Sequence, residues 1–117
     1  MSAHDLEIRR FKNREEQERR RLDNPEAMWF EKHTYMAKNR AIIRAAKNRP
    51  CADCGVHYPY YVMQFDHTGD DKKFNIGQMG PTSKRSILLD EITKCDVVCA
   101  NCHAERTHSR AAARRSA

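Results

Sequence analysis

Apolar positions are sparse and unevenly spread along the 117 residues. Residues 4–22 read as a helix whose apolar members are chiefly Leu6, Ile8, Phe11 and Leu22. A helix so polar lies on solvent, on DNA or on a partner. In "LDNPEAMWF", Asn24 can cap a second helix with Pro25 at its first position. That helix runs to about residue 48 and places Trp29, Met36 and Ile43 at spacings of seven, an apolar stripe for packing; Pro50 stops it. The aromatic and β-branched run "VHYPYYVMQFDH" predicts a strand over 60–67. Gly69, Asp70 and Asp71 then make a turn, "KKFNI" a short returning strand, and "GQMGPT" a loop. Ser83 is placed to cap a helix through about Lys94 with Ile87, Leu88 and Ile92 on its buried face. "CDVVC" reads as extended, and a last helix begins near Cys102. The mixture predicts an α+β fold without internal repeats.

Length and composition narrow this. A chain of 117 residues, 32% charged and 39% hydrophobic, fits one small domain with a modest core. No run of about 18 apolar residues exists to span a membrane. The first 21 residues are charged where a signal peptide needs an apolar segment. Both features predict a cytoplasmic protein, in which five cysteines serve as metal ligands or free thiols rather than disulfides. The net charge of +6 is unevenly distributed. Residues 1–50 hold 13 Lys/Arg against 8 Asp/Glu, residues 51–108 hold 6 against 8, and 109–117 add three arginines. A mildly acidic centre with basic flanks suits a polyanion, of which nucleic acid is the commonest; a solubilising charged surface is the plainer alternative.

Cys51-x2-Cys54 and Cys99-x2-Cys102 form two knuckles separated by 44 residues. Two such turns supply four thiolates to a tetrahedral zinc, and a closed site of four cysteines is structural rather than catalytic. A structural zinc contributes on the order of 10 kcal/mol to folding, which a core this small needs. Cys95 falls outside both knuckles and is expected to be a buried free thiol.

Zinc closure also carries Asp66 and His67 towards His103, the residue after the fourth cysteine. Adjacent strand residues point to opposite sides, so one of the pair can hold a metal while the other reaches a water. A carboxylate and an imidazole together suit a hard divalent ion. The segments CADC, FDH, KKFNIG and EITKCDVVCANCHAERTH resemble the HNH endonucleases, in particular the small zinc-bound type of phages and prophages. The resemblance spans about residues 50–108. It implies a ββα-metal finger around the four-cysteine zinc, preceded by N-terminal helices. The chain then divides into a basic helical extension (1–49), a zinc-bound nuclease domain (50–108) and a basic tail (109–117). It further implies metal-dependent hydrolysis of DNA phosphodiesters, with His67 as general base, Asp66 and His103 as ligands of a Mg²⁺, Mn²⁺ or Ni²⁺ ion, and Cys51, Cys54, Cys99 and Cys102 on structural zinc.

The chain departs from the family where many members carry Asn-Leu, five and four residues before the third cysteine; here stand Lys94 and Cys95. The middle Asn of the motif is then Asn75 or Asn101, with Asn75 favoured because it can brace the loop that orients His67. Lys72, Lys73 and Arg106 lie close enough in sequence to meet flanking phosphates, and His108 can join them; a solvated surface role is the alternative for each. Phosphodiester hydrolysis needs an activated nucleophile, and a free imidazole with a pKa of about 6.5 is largely neutral at pH 7. Expected partners are DNA and, through the N-terminal helices, phage terminase or other packaging proteins. Two rival readings are a zinc-ribbon DNA binder without catalysis and a packaging adaptor.

Overall fold

The computed structural model describes residues 2–116, which fall into two compact units, Met1–Tyr35 and Met36–Ala117. In the first, helix α1 (Ala3–Asp23) starts with a capping box. The Ser2 hydroxyl accepts the Asp5 N–H at 3.2 Å, while the Asp5 carboxylate accepts the Ser2 N–H at 3.4 Å. Asn24 ends α1 and opens α2 (Pro25–Ala46), its Oδ1 accepting the Ala27 N–H at 3.2 Å. Arg20 pairs with Glu31 at 3.1 Å across the turn. This unit buries almost nothing: Leu6, Ile8, Phe11 and Leu22 are exposed, as are Trp29 and Phe30. The expected stripe on α2 is therefore only partly a packing face. Ile43 is buried and Met36 half-buried, but Trp29 stacks on His33 in a unit that offers no core to receive it.

The second unit holds the rest of α2, strand β1 (Met63–His67) after a 3₁₀ turn, a single-turn helix α3 (Ile76–Met79), α4 (Arg85–Thr93), β2 (Cys95–Cys99) and α5 (Ala100–Ser116). The strands pair antiparallel with Met63 opposite Cys99, Asp66 opposite Asp96 and His67 opposite Cys95. "KKFNI" is not a returning strand. The Lys73 N–H donates to the Glu91 carboxylate at 2.9 Å, so its backbone donor is committed to a side chain rather than a ladder. Ser83 does not cap α4 either: its hydroxyl donates to the Met79 carbonyl at 2.7 Å, and the helix begins two residues later. On α4, Leu88 is buried and Ile92 half-buried, but Ile87 is exposed. The last helix starts at Ala100, before the fourth cysteine, and continues through the basic tail. No helix among the described residues is long and apolar enough to cross a membrane.

Two small apolar clusters hold this unit. Cys51, Met63, Val97, Val98 and Cys99 pack at the cysteine end, and Ile43, Ile76 and Leu88 pack under α2 and α4, with Phe65 touching both. Gly80 permits the second: a Cβ there would meet the Ile43 and Leu88 methyls at 3.0 and 3.1 Å. A polar bolt reinforces it. Asn39, fully buried on α2, directs its Nδ2 at the carbonyls of Gly80, Pro81 and Ser83 (3.2, 3.2 and 2.9 Å), and its Oδ1 accepts from Arg85 at 3.2 Å. Replacing the donor leaves three carbonyls facing an unsuitable partner. Asn39→Asp, nearly isosteric, is therefore expected to cost about 2–3 kcal/mol at neutral pH, measured by denaturant unfolding; a loss under about 0.5 kcal/mol would refute the bolt.

Candidate functional site

The first knuckle is a tight turn. Gly55 takes a positive φ of 74°, and its N–H bonds the Cys51 carbonyl at 2.9 Å, returning the chain so that the Cys51 N–H reaches the Val56 carbonyl at 2.9 Å. The second knuckle spans the junction of β2 and α5. Strand pairing brings them together, and the Sγ atoms of Cys51, Cys54, Cys99 and Cys102 lie within 4.8 Å of one another. A tetrahedral zinc with bonds of about 2.3 Å has S···S edges of about 3.8 Å, so the cluster fits that ion after slight contraction. The Cys99 N–H points at Cys51 Sγ (3.3 Å) and the Cys102 N–H at Cys99 Sγ (3.4 Å). Burial pushes the Cys51 thiol up, but backbone hydrogen bonds from Cys54, Cys99 and Asp53 outweigh it and bring the group to about 6. Cys102 moves the other way, to about 12, through hydrogen bonding with Cys99 and burial. Four adjacent thiols cannot all ionise alone; a divalent cation would supply the missing charge. Cys95 stays outside, half-buried, its thiol raised to about 11 chiefly by burial.

Asp66 and His67 leave β1 on opposite sides. Asp66, 3% exposed, faces α5. Arg110 donates to both its oxygens at 2.7 Å, and Arg106 to Oδ2 at 2.7 Å. Arg110 above all, opposed by burial and helped by Arg106, holds this carboxyl down at about 2. Arg106 also binds Asp96 at 3.0 Å and Asp53 at 2.6 Å. The expectation from sequence is that Arg106 meets phosphate; instead three carboxylates occupy it. His103 Nε2 stands 3.4 Å from Asp66 Oδ1, and its Nδ1 is hydrogen-bonded to the Gln64 carboxamide oxygen. That oxygen can only accept, so Nδ1 carries the proton. His103 Nε2 is thus the ring nitrogen that faces the carboxylate, and the two atoms together could hold a cation. Two donors sharing one ion at about 2.1 Å are separated by about 3 Å, close to what is observed.

His67 faces α4. Its Nε2 is 2.9 Å from Glu91 Oε2. With Nε2–H donating to the carboxylate, Nδ1 is the basic nitrogen. Glu91 is 1% exposed and also accepts from Lys94 Nζ and the Lys73 N–H, both at 2.9 Å. These bonds overcome its burial and hold it at about 2. Lys94 Nζ reaches the Asp71 carbonyl at 3.0 Å, while the Lys94 carbonyl accepts the Thr68 N–H and hydroxyl at 3.1 Å. Lys94 thus braces the 68–71 turn beside His67. Asn75 precedes α3 and donates to Gln78 at 3.2 Å; Asn101 is exposed on the first turn of α5.

A cleft of about 550 Å³ gathers Gln64, Asp66, His67, Lys72, Asn75, His103 and Arg110, with Lys47 on its wall. Lys73 and His108 are exposed and do not line it. Sequence reading missed Glu91 and Gln64, and it placed Arg110 and Lys47 in the basic flanks rather than at this cleft. Only Glu91 carried a signal, its i,i+3 spacing to Lys94. No family model, curated protein or solved structure matches the chain.

Two outcomes are expected. Freshly purified protein should contain one zinc per chain by elemental analysis, and Cys54→Ser should lose the metal and unfold the second unit; a folded, zinc-free protein would contradict the metal centre. Glu91→Gln should lower stability by about 1–3 kcal/mol at pH 7. Because the Glu91 carboxyl is depressed from 4.5 to about 2, its contribution is complete above about pH 4.5 and fades as pH falls towards 2. Denaturant unfolding at pH 7, 4.5 and 3 should show the gap between wild type and variant closing.

Proposed function

We propose that the protein is a metal-dependent endonuclease of the HNH kind, hydrolysing DNA phosphodiesters in the cleft between β1 and α5. The observation that carries this reading is the pairing, on adjacent residues of one strand, of a histidine backed by a buried carboxylate (His67–Glu91, 2.9 Å) and an aspartate facing a second histidine (Asp66–His103, 3.4 Å). A divalent ion bound by Asp66 and His103 would stabilise charge on the phosphate and on the departing 3′ oxygen. The chain's own groups do the rest. His67 Nδ1 takes a proton from water as its oxygen bonds to phosphorus, and the bond from phosphorus to the 3′ oxygen breaks. Glu91 keeps the imidazole in the tautomer this needs and favours the imidazolium that forms. Gln64 fixes the His103 tautomer, leaving Nε2 free to bind. Arg110 donates to Asp66 Oδ1, the oxygen that faces His103, so an ion there would share that oxygen with the guanidinium.

The three arginine hydrogen bonds to Asp66 favour a second reading, a zinc-stabilised DNA binder without catalysis. Plasmid cleavage with Mg²⁺, Mn²⁺ or Ni²⁺ against an EDTA control separates the two. His67→Ala should retain DNA and metal binding and lose cleavage by roughly 10²–10⁴-fold. Asp66→Ala should lose divalent-metal binding as well, and His103→Ala should recover partly at high metal concentration; zinc content should be unchanged in all three. Cleavage by His67→Ala within about tenfold of wild type would overturn its role as general base.

A further inference from the structure

The positive charge of the N-terminal half is not spread over it. Residues 1–35, the first unit, carry eight Lys/Arg and eight Asp/Glu, whereas residues 36–50 carry five Lys/Arg and no acid. Three of those five, Arg40, Arg44 and Lys47, are spaced i, i+4, i+7, which places them along one flank of α2 over about 10 Å. Lys47 follows the last residue of α2 but keeps its turn, its N–H bonding the Ile43 carbonyl at 3.2 Å and that of Arg44 at 3.1 Å. Two of the three are seated on aromatic faces. The Arg44 guanidinium lies 4.1 Å from the Tyr60 ring centre, and Lys47 Nζ lies 5.4 Å from that of Phe65, the residue before Asp66. Arg44 lines an open groove of about 530 Å³ with His57 and Tyr60; Lys47 lines the cleft of Asp66 and His67.

The cations nearer the chemistry contrast with these. Arg106 and Arg110 are held by Asp53, Asp66 and Asp96. Among the described residues, no carboxylate lies within ion-pair distance of Arg40, Arg44 or Lys47. A duplex places phosphates at about 3.4 Å of axial rise on each strand, so the stripe covers the rise of about three.

We infer, resting on the nuclease reading, that Arg40, Arg44 and Lys47 form the phosphate track that leads a DNA strand into the cleft, and that the Met1–Tyr35 unit takes no part in it. The α2 stripe lies outside the segment that resembles nucleases, so the site is built from both.

The test is DNA binding in the full chain carrying His67→Ala, measured against salt. Replacing Arg40, Arg44 and Lys47 together by Gln should flatten the log K against log salt slope by about 2–3, at about 0.9 for each phosphate no longer neutralised. Replacing Arg9, Arg10 and Arg14 by Gln should leave the slope unchanged. Exchanging the three track residues for the other basic type (Arg40→Lys, Arg44→Lys, Lys47→Arg) should retain it, which separates charge from damage to α2. An unchanged slope in the α2 variant, or an equal flattening in the α1 variant, overturns the track while leaving the nuclease reading intact. Absence of any DNA binding by the parent protein defeats both.

Discussion

One guanidinium holds together the part of the molecule where everything else converges. Antiparallel register sets Asp66 directly opposite Asp96, a like-charge pair that opposes the very ladder it belongs to. Asp53, from the first cysteine turn, approaches the same point. Arg106 binds all three at 2.6–3.0 Å and so ties knuckle, both strands and the last helix into one joint. Its position on α5 is set in turn by the second knuckle, four residues earlier. Sulfur cluster and ionic joint therefore support each other: the cysteines bring the carboxylates together, and the arginine makes their proximity tolerable.

The same arithmetic of charge shapes the two sides of β1. Each side carries one buried carboxylate whose lone pairs are nearly all spoken for, Asp66 by Arg106 and Arg110, Glu91 by Lys94, Lys73 and His67. A buried carboxylate missing one partner would be strongly destabilising, so both networks are stiff. On the Glu91 side these bonds hold the His67 ring in place. On the Asp66 side they tie the carboxylate to two arginines of α5.

The α+β class and the gathering of four cysteines were legible in the sequence because each is written locally, in alternation, capping residues and knuckle spacing. Asn24 could be recognised as a cap from its own tripeptide. Two of the readings depended on distant partners. The Lys73 N–H looked available for a ladder because nothing near it announces Glu91, 18 residues away. Arg106 looked available for phosphate because its three acids come from three separate segments. The Trp29 stripe looked like core because periodicity records which residues share a face, not whether anything covers that face. Nothing in the sequence marked Lys94 as structural; only the fold shows that it braces the turn after His67.

The separation of the paired elements has a kinetic consequence. Helices α1 and α2 depend on neighbours a few residues apart and can form early, on the microsecond scale of helix formation. The sheet cannot, because β1 and β2 are separated by 27 residues and the two knuckles by 44. Closing those loops costs entropy before the ladder returns any, and the like-charged Asp66–Asp96 pair withholds part of the reward until α5 delivers Arg106. Contacts within the helices are thus local, whereas those that gather the cysteines are not. An ion held by all four cysteines would join the two knuckles across that gap.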